Sequence, residues 1–109
     1  MLIALVSTAF SNIWLINYDG TNNRPITTGN FKDNSPKWSN QGDKFVFKSN
    51  RGNKSQIFLF DLKNNSIQKL TNFQYSIETV KWSPDDNYIL FSSFIDSKRD
   101  KLINMPKKH

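Results

Sequence analysis

Lys37-Trp38-Ser39-Asn40-Gln41-Gly42 and, 44 residues further on, Lys81-Trp82-Ser83-Pro84-Asp85-Asp86 are two copies of one phrase, and their spacing decides the fold. Working outward, the correspondence continues without a gap. Phe45-Val46-Phe47 returns as Ile89-Leu90-Phe91, and Ser49 as Ser93. On the other side, Ile13-Trp14-Leu15 returns as Ile57-Phe58-Leu59, and Ile26-Thr27 as Leu70-Thr71. Apolar positions fall on apolar positions, and turn residues on turn residues. A period of this size marks a stacked or radial repeat, whose unit cannot bury its apolar face alone.

Within one period, short apolar or alternating runs are divided by turn signals. Residues 36–39 form the first run and Asn40-Gln41-Gly42-Asp43 a turn. Residues 44–49 follow, then the polar loop 50–55, then residues 56–62. The turn Lys63-Asn64-Asn65-Ser66 leads to residues 67–71. Strands of about five residues joined by Asn, Gly, Asp and Ser turns read as successive hairpins. Four antiparallel strands in about 40–45 residues is the size of one β-propeller blade. Ile57-Phe58-Leu59-Phe60 is apolar on consecutive residues, as expected of a strand covered on both faces by neighbouring blades. Trp38 and Trp82 share one phase of the repeat and are expected to wedge between blades as core residues.

The expected fold is therefore all-β: an incomplete β-propeller of about two and a half four-stranded antiparallel blades with a 44-residue repeat. Residues 1–93 form the partial propeller, with an incomplete blade at 1–28, a complete one at 35–71 and the start of the next at 79–93; residues 94–109 form a basic C-terminal tail. One period before Phe45-Val46-Phe47 lies Met1-Leu2-Ile3, which is read as a strand rather than a leader, because Met1–Val6 is short and lacks a positive flank. About nine strands cannot close a ring, since closed propellers have four to eight blades. The expectation is a fragment of a longer protein, with self-assembly and an open array as the other outcomes.

Composition agrees. Aromatic residues make up 14% of the 109, nine of them Phe, which suits strands better than helices. There is no cysteine, so no disulfide framework and no thiolate metal site. No apolar run reaches transmembrane length. Half of the net charge of +6 sits in residues 96–109, where Lys98, Arg99, Lys101, Lys107 and Lys108 outweigh Asp96 and Asp100. Without an aromatic platform or a basic stripe, this tail reads as a solvated end and not as a nucleic-acid site.

These residues resemble a known repeat. Asn34-Ser35-Pro36-Lys37-Trp38-Ser39-Asn40-Gln41-Gly42 is similar to the "SPxWSPDG" signature of the TolB-like propeller, and Lys81-Trp82-Ser83-Pro84-Asp85-Asp86 matches it more closely. Ser49-Asn50-Arg51-Gly52 with Gln56-Ile57-Phe58-Leu59 resembles its "SDRGG…QIYL" connection, and Pro25-Ile26-Thr27 its "LT" ending. Two departures stand out: Asn40-Gln41 replaces the usual Pro-Asp, and Asp86 replaces the usual Gly. The run from Asn12 to Asp86 looks most like the N-terminal propeller of prolyl oligopeptidase-family serine peptidases of the acylaminoacyl- and dipeptidyl-peptidase kind. That resemblance implies a propeller that gates or scaffolds peptide access to a hydrolase domain. The alternatives are a TolB-like protein-interaction propeller and a truncated gene remnant without independent function. Implied partners are a peptide substrate or a partner protein bound through the intact propeller. Missing blades or a hydrolase domain are expected in a full-length parent. Either a cytoplasmic or a periplasmic location fits.

No catalytic, cofactor-binding or metal-binding residue is assigned, and no cofactor is expected. None of the four glycines opens a G-x-S-x-G elbow, and the single histidine is His109, so no Ser-His-Asp triad can be placed. Asp85-Asp86-Asn87 lacks the ligand count of a calcium loop and reads as a turn. Asp96, Asp100 and His109 are too sparse for a metal site. Asn53-Lys54-Ser55 and Asn64-Asn65-Ser66 are formal glycosylation sequons but read as Asn-rich turns. Ser92-Ser93 reads as a strand end without a partner base.

Overall fold

Hairpins built from the repeat form three sheets in a computed structural model that describes residues 10–95. The first sheet pairs β1 (Trp14–Leu15) with β2 (Arg24–Pro25). The middle sheet is four-stranded, in the order β3 (Asp33–Trp38), β4 (Lys44–Ser49), β5 (Gln56–Asp61) and β6 (Ser66–Lys69). The third pairs β7 (Ile77–Trp82) with β8 (Ile89–Ser93). All these pairings are antiparallel, and the eight strands are the only regular elements among the described residues. One period relates β1–β2 to β5–β6 and β7–β8 to β3–β4. The two flanking sheets are thus opposite halves of the same unit. The expected strand at Met1-Leu2-Ile3 and most of the basic tail lie outside the described residues.

Strand ends differ from the sequence reading by a few residues. β3 starts at Asp33, earlier than expected, because it carries a bulge between Asn34 and Lys37. Ser35 takes a φ of 56° there, and Pro36 is tolerated because β3 is an edge strand. β6 stops at Lys69, before Thr71, and all four of its residues are exposed on the sheet's other edge.

The central strands β4 and β5 of the middle sheet are covered on both faces, as their unbroken apolar runs require. In the β4–β5 register Phe45 lies opposite Phe60 and Phe47 opposite Phe58. These rings pack at 5.3 and 5.7 Å between centroids, and with Ile13 they form the seam to the first sheet. Val46 and Ile57 point the other way and meet Ile77 and Val80 of β7, with Leu59, Trp82 and Ile89 closing that seam. The period-two alternation of a strand therefore sends Phe45 and Phe47 to one neighbour and Val46 to the other.

Some links repeat with the sequence. The Asp33 N–H donates to the Ser11 carbonyl at 2.9 Å, and one period later Ile77 N–H donates to Ser55 at 2.8 Å. Each joins the first residue of one sheet to the segment that leads into a strand of the preceding sheet, β1 or β5. The threonine that ends each unit also repeats its role. Thr27 Oγ1 accepts from Ile13 N–H at 2.9 Å, and Thr71 Oγ1 from Ile57 N–H at 3.0 Å.

The tryptophans do not share one environment. Trp82 is half-buried in the second seam and its Nε1–H donates to the Lys37 carbonyl at 2.9 Å. Trp38 stands edge-on to Phe45 at 5.4 Å but remains 50% exposed. The difference follows from its neighbour: the described first sheet has only two strands and cannot cover it.

Candidate interaction surface

The signature turns meet across the second seam. Asp86 occupies the repeat position of Gly42, and both adopt the left-handed conformation, with φ of 62° and 75°. The carboxylate of Asp86 reaches back to the preceding turn. Its Oδ1 accepts from the backbone N–H of Asn40 at 2.8 Å and from Asn40 Nδ2 at 2.7 Å, and its Oδ2 accepts from Gln41 N–H at 3.1 Å. Asn40 Nδ2 also donates to the Ser83 carbonyl at 2.8 Å. The two departures from the repeat signature thus complement each other. A proline at position 40 would have no N–H to offer, and a glycine at 86 no acceptor. The backbone hydrogen bond from Asn40, followed by the Asn40 side chain, holds the Asp86 carboxyl below its ordinary pKa.

Asp85 is occupied inside its own turn, accepting from Ser83 Oγ at 2.8 Å and Asn87 N–H at 3.0 Å. The Ser83 hydroxyl, foremost, keeps the Asp85 carboxyl below its usual range. Asp85-Asp86-Asn87 is a turn whose carboxylates already have protein partners. No group of three or more His, Cys, Asp or Glu side chains could hold a metal among the described residues. Ser92 Oγ pairs with Thr79 Oγ1 at 2.6 Å, and Ser93 Oγ donates to the Ser76 carbonyl at 2.6 Å.

Sequence reasoning missed two polar centres. Gln56 is buried, and its amide organises the connection into the third sheet. Oε1 accepts from Thr71 Oγ1 and Phe73 N–H, both at 2.7 Å. Nε2 donates to the carbonyls of Ser55, Phe73 and Tyr75 at 3.0–3.1 Å. The second centre is Arg51, which follows the buried Ser49. Its Nη2–H donates to Asp33 Oδ2 at 2.6 Å and its Nε–H to Ser49 Oγ at 2.9 Å. The guanidinium lies 4.7 Å from the Phe31 ring centroid and 5.8 Å from that of Phe58. The Asp33 side chain is fully buried, so the pair ties the start of β3 to the end of β4. The only advance signal was that Arg51 and Gln56 belong to the connection that resembles the family's.

Exposed apolar side chains gather at the two flanking sheets. An open groove on the third sheet is lined by Trp82, Pro84, Tyr88 and Leu90, with Tyr88 and Leu90 each 72% exposed. On the opposite flank a shallow pocket is lined by Ile13, Trp14, Leu15, Pro36, Trp38 and Phe45.

A four-stranded unit packed between two hairpins that repeat its halves at a 44-residue period, joined by repeated seam contacts, defines a β-propeller repeat protein. The family described as the TolB beta propeller domain matches residues 1–107, and the chain belongs to that family. It is 32% identical over 81 residues to the uncharacterized peptidase YuxL of Bacillus subtilis, covering 73% of this chain and 12% of that protein. It is 30% identical over 83 residues to a TolB homolog of Chlamydia abortus, covering 74% of this chain and 19% of that protein. A TolB structure from Agrobacterium tumefaciens superposes with a TM-score of 0.68 at 23% identity, over 76% of this chain and 30% of that one. The chain thus spans less than a fifth of the curated relatives it matches.

Proposed function

We propose that this chain is a non-catalytic propeller segment of a serine peptidase, whose intact propeller controls peptide access to a separate hydrolase domain. The observation that carries this reading is the 32% identity to the peptidase YuxL, of which the chain matches only 12%. The chain's own chemistry supports a structural role. The carboxylates of Asp33, Asp85 and Asp86 have partners within the fold, and Ser92 and Ser93 bond to Thr79 and to backbone, with no histidine beside them among the described residues. A propeller contributes here by shape: its blades surround a central channel, and the width of that channel sets what passes.

The match to TolB homologs favours a second reading, a propeller that binds partner proteins. The two are separated by isolating the native polypeptide from source cells with an antibody against residues 44–70 and treating it with a fluorophosphonate probe for active serines. The expected result is a labelled band well above 12.7 kDa. A band that stays unlabelled while the probe labels other hydrolases in the extract would overturn the peptidase reading.

A further inference from the structure

An open cleft of about 290 Å³ lies where the β4–β5 loop, the middle sheet and the connection after it come together. Lys54 of the loop and Lys69 of β6 both line it, and no acidic side chain does. Neither lysine forms an ion pair among the described residues. The Lys54 ammonium donates to the Gln74 carbonyl at 2.8 Å, which ties the loop to the connection. The Lys69 ammonium lies beside Gly52, 3.9 Å from the position a Cβ would take there. Gly52 and Asn72 also line the cleft and make no hydrogen bond to any described residue. Phe73 supplies an apolar wall, its ring edge-on to Phe91 at 5.6 Å and to Tyr75 at 5.8 Å. The buried Gln56 amide bonds both the N–H and the carbonyl of Phe73 and fixes that wall. Links that hold the repeat together recur one period apart, as Thr27 and Thr71 do. The cleft's residues do not: one period before Lys54, Lys69 and Phe73 stand Phe10, Pro25 and Gly29. The packing of the repeat therefore does not require them.

We propose that this cleft binds a carboxylate joined to an apolar group, as at the C-terminus of a peptide that ends in an apolar residue. Two ammonium groups without a counter-charge give the cleft a single sign, and such a cleft draws an anion. The Gly52 N–H and the Asn72 amides are donors left to complete the hydrogen bonding of a terminal carboxylate. Arg51, next to Gly52 in the chain, is committed to Asp33 and Ser49. The cleft thus offers point charges and amides, without the forked guanidinium that suits phosphate. Phe73 covers the apolar group. The inference stands on the chemistry of the cleft and does not depend on the peptidase reading.

The test titrates the ¹⁵N-labelled full chain with benzoylglycine, which carries a carboxylate beside an aromatic acyl group, and follows the backbone amide resonances. Saturating shifts are expected at residues 52–54 and 72–74. Benzoylglycine amide, which lacks the charge, should give none, and acetylglycine, which lacks the ring, should bind more weakly. Lys54→Gln and Lys69→Gln should each weaken benzoylglycine about threefold to fivefold, the size of an exposed charge pair. Lys54→Arg and Lys69→Arg keep the charge and should retain most of the binding. Lys63→Gln removes the same charge from the turn at the other end of the β5–β6 hairpin and should change nothing. Shifts that do not saturate, or an equal loss in Lys63→Gln, overturn the proposal by showing only the general attraction of a chain of net charge +6. Saturating shifts that survive both glutamine variants place the binding elsewhere and overturn it too. Tighter binding of phenyl phosphate than of benzoylglycine overturns the carboxylate assignment, and equal affinities for benzoylglycine and acetylglycine overturn the role of Phe73.

Discussion

Replacing Gln56 by leucine keeps the side-chain volume near that of the parent and removes five hydrogen bonds at one buried point. The Phe73 N–H loses its acceptor, and the Phe73 and Tyr75 carbonyls lose a donor. An orphaned buried donor costs about 1–3 kcal/mol, and each lost neutral hydrogen bond about 0.5–1.5 kcal/mol net. Added apolar burial of the leucine offsets part of this, so the expected loss is about 3 kcal/mol. With a urea slope of about 1.5 kcal/mol per molar, the midpoint should fall by about 2 M with the slope unchanged. Thermal unfolding should shift by more than about 10 °C. Hydrogen exchange should accelerate first in residues 71–76, because Gln56 pins that connection between sheets. A stability change within about 0.5 kcal/mol, of the size seen for ordinary surface substitutions, would refute the reasoning. It would mean that water replaces the amide at this point.

Further outcomes follow from the repeated and paired contacts. Thr27→Val and Thr71→Val each orphan the N–H of a buried isoleucine, Ile13 or Ile57, and each should cost about 1–3 kcal/mol in urea unfolding. Arg51→Met strands the buried Asp33 carboxylate and should destabilise by about 3 kcal/mol, with Asp33→Asn restoring part of the loss in a double-mutant cycle. The Asp86 carboxyl has a lowered pKa in the folded chain, so its stabilisation is present above the unfolded value of about 3.9 and is lost as pH falls through the lower folded value. The melting temperature of Asp86→Asn should therefore lie below that of the parent near neutral pH, and the gap should close in acid.

The repeat unit was legible from residue types alone. Apolar runs at residues 44–49 and 56–61 became β4 and β5, because a strand between two sheets must be apolar on both faces. The turn at 40–43 followed from its Asn, Gly and Asp residues. What the order of residues left undecided is which polar groups meet. Asn40 and Asp86 lie 46 residues apart, Asp33 and Arg51 18 apart, and Gln56 and Phe73 17 apart. A period dictates where strands and turns fall, since those depend on local backbone preference and on the apolar pattern. It does not dictate the angle at which one sheet sits on the next. That angle comes from how the Phe45, Phe47, Phe58 and Phe60 rings fill one seam and Val46 and Ile57 the other. It brings the Asp86 carboxylate within reach of the Asn40 and Gln41 amides and half-buries Trp82 in the second seam.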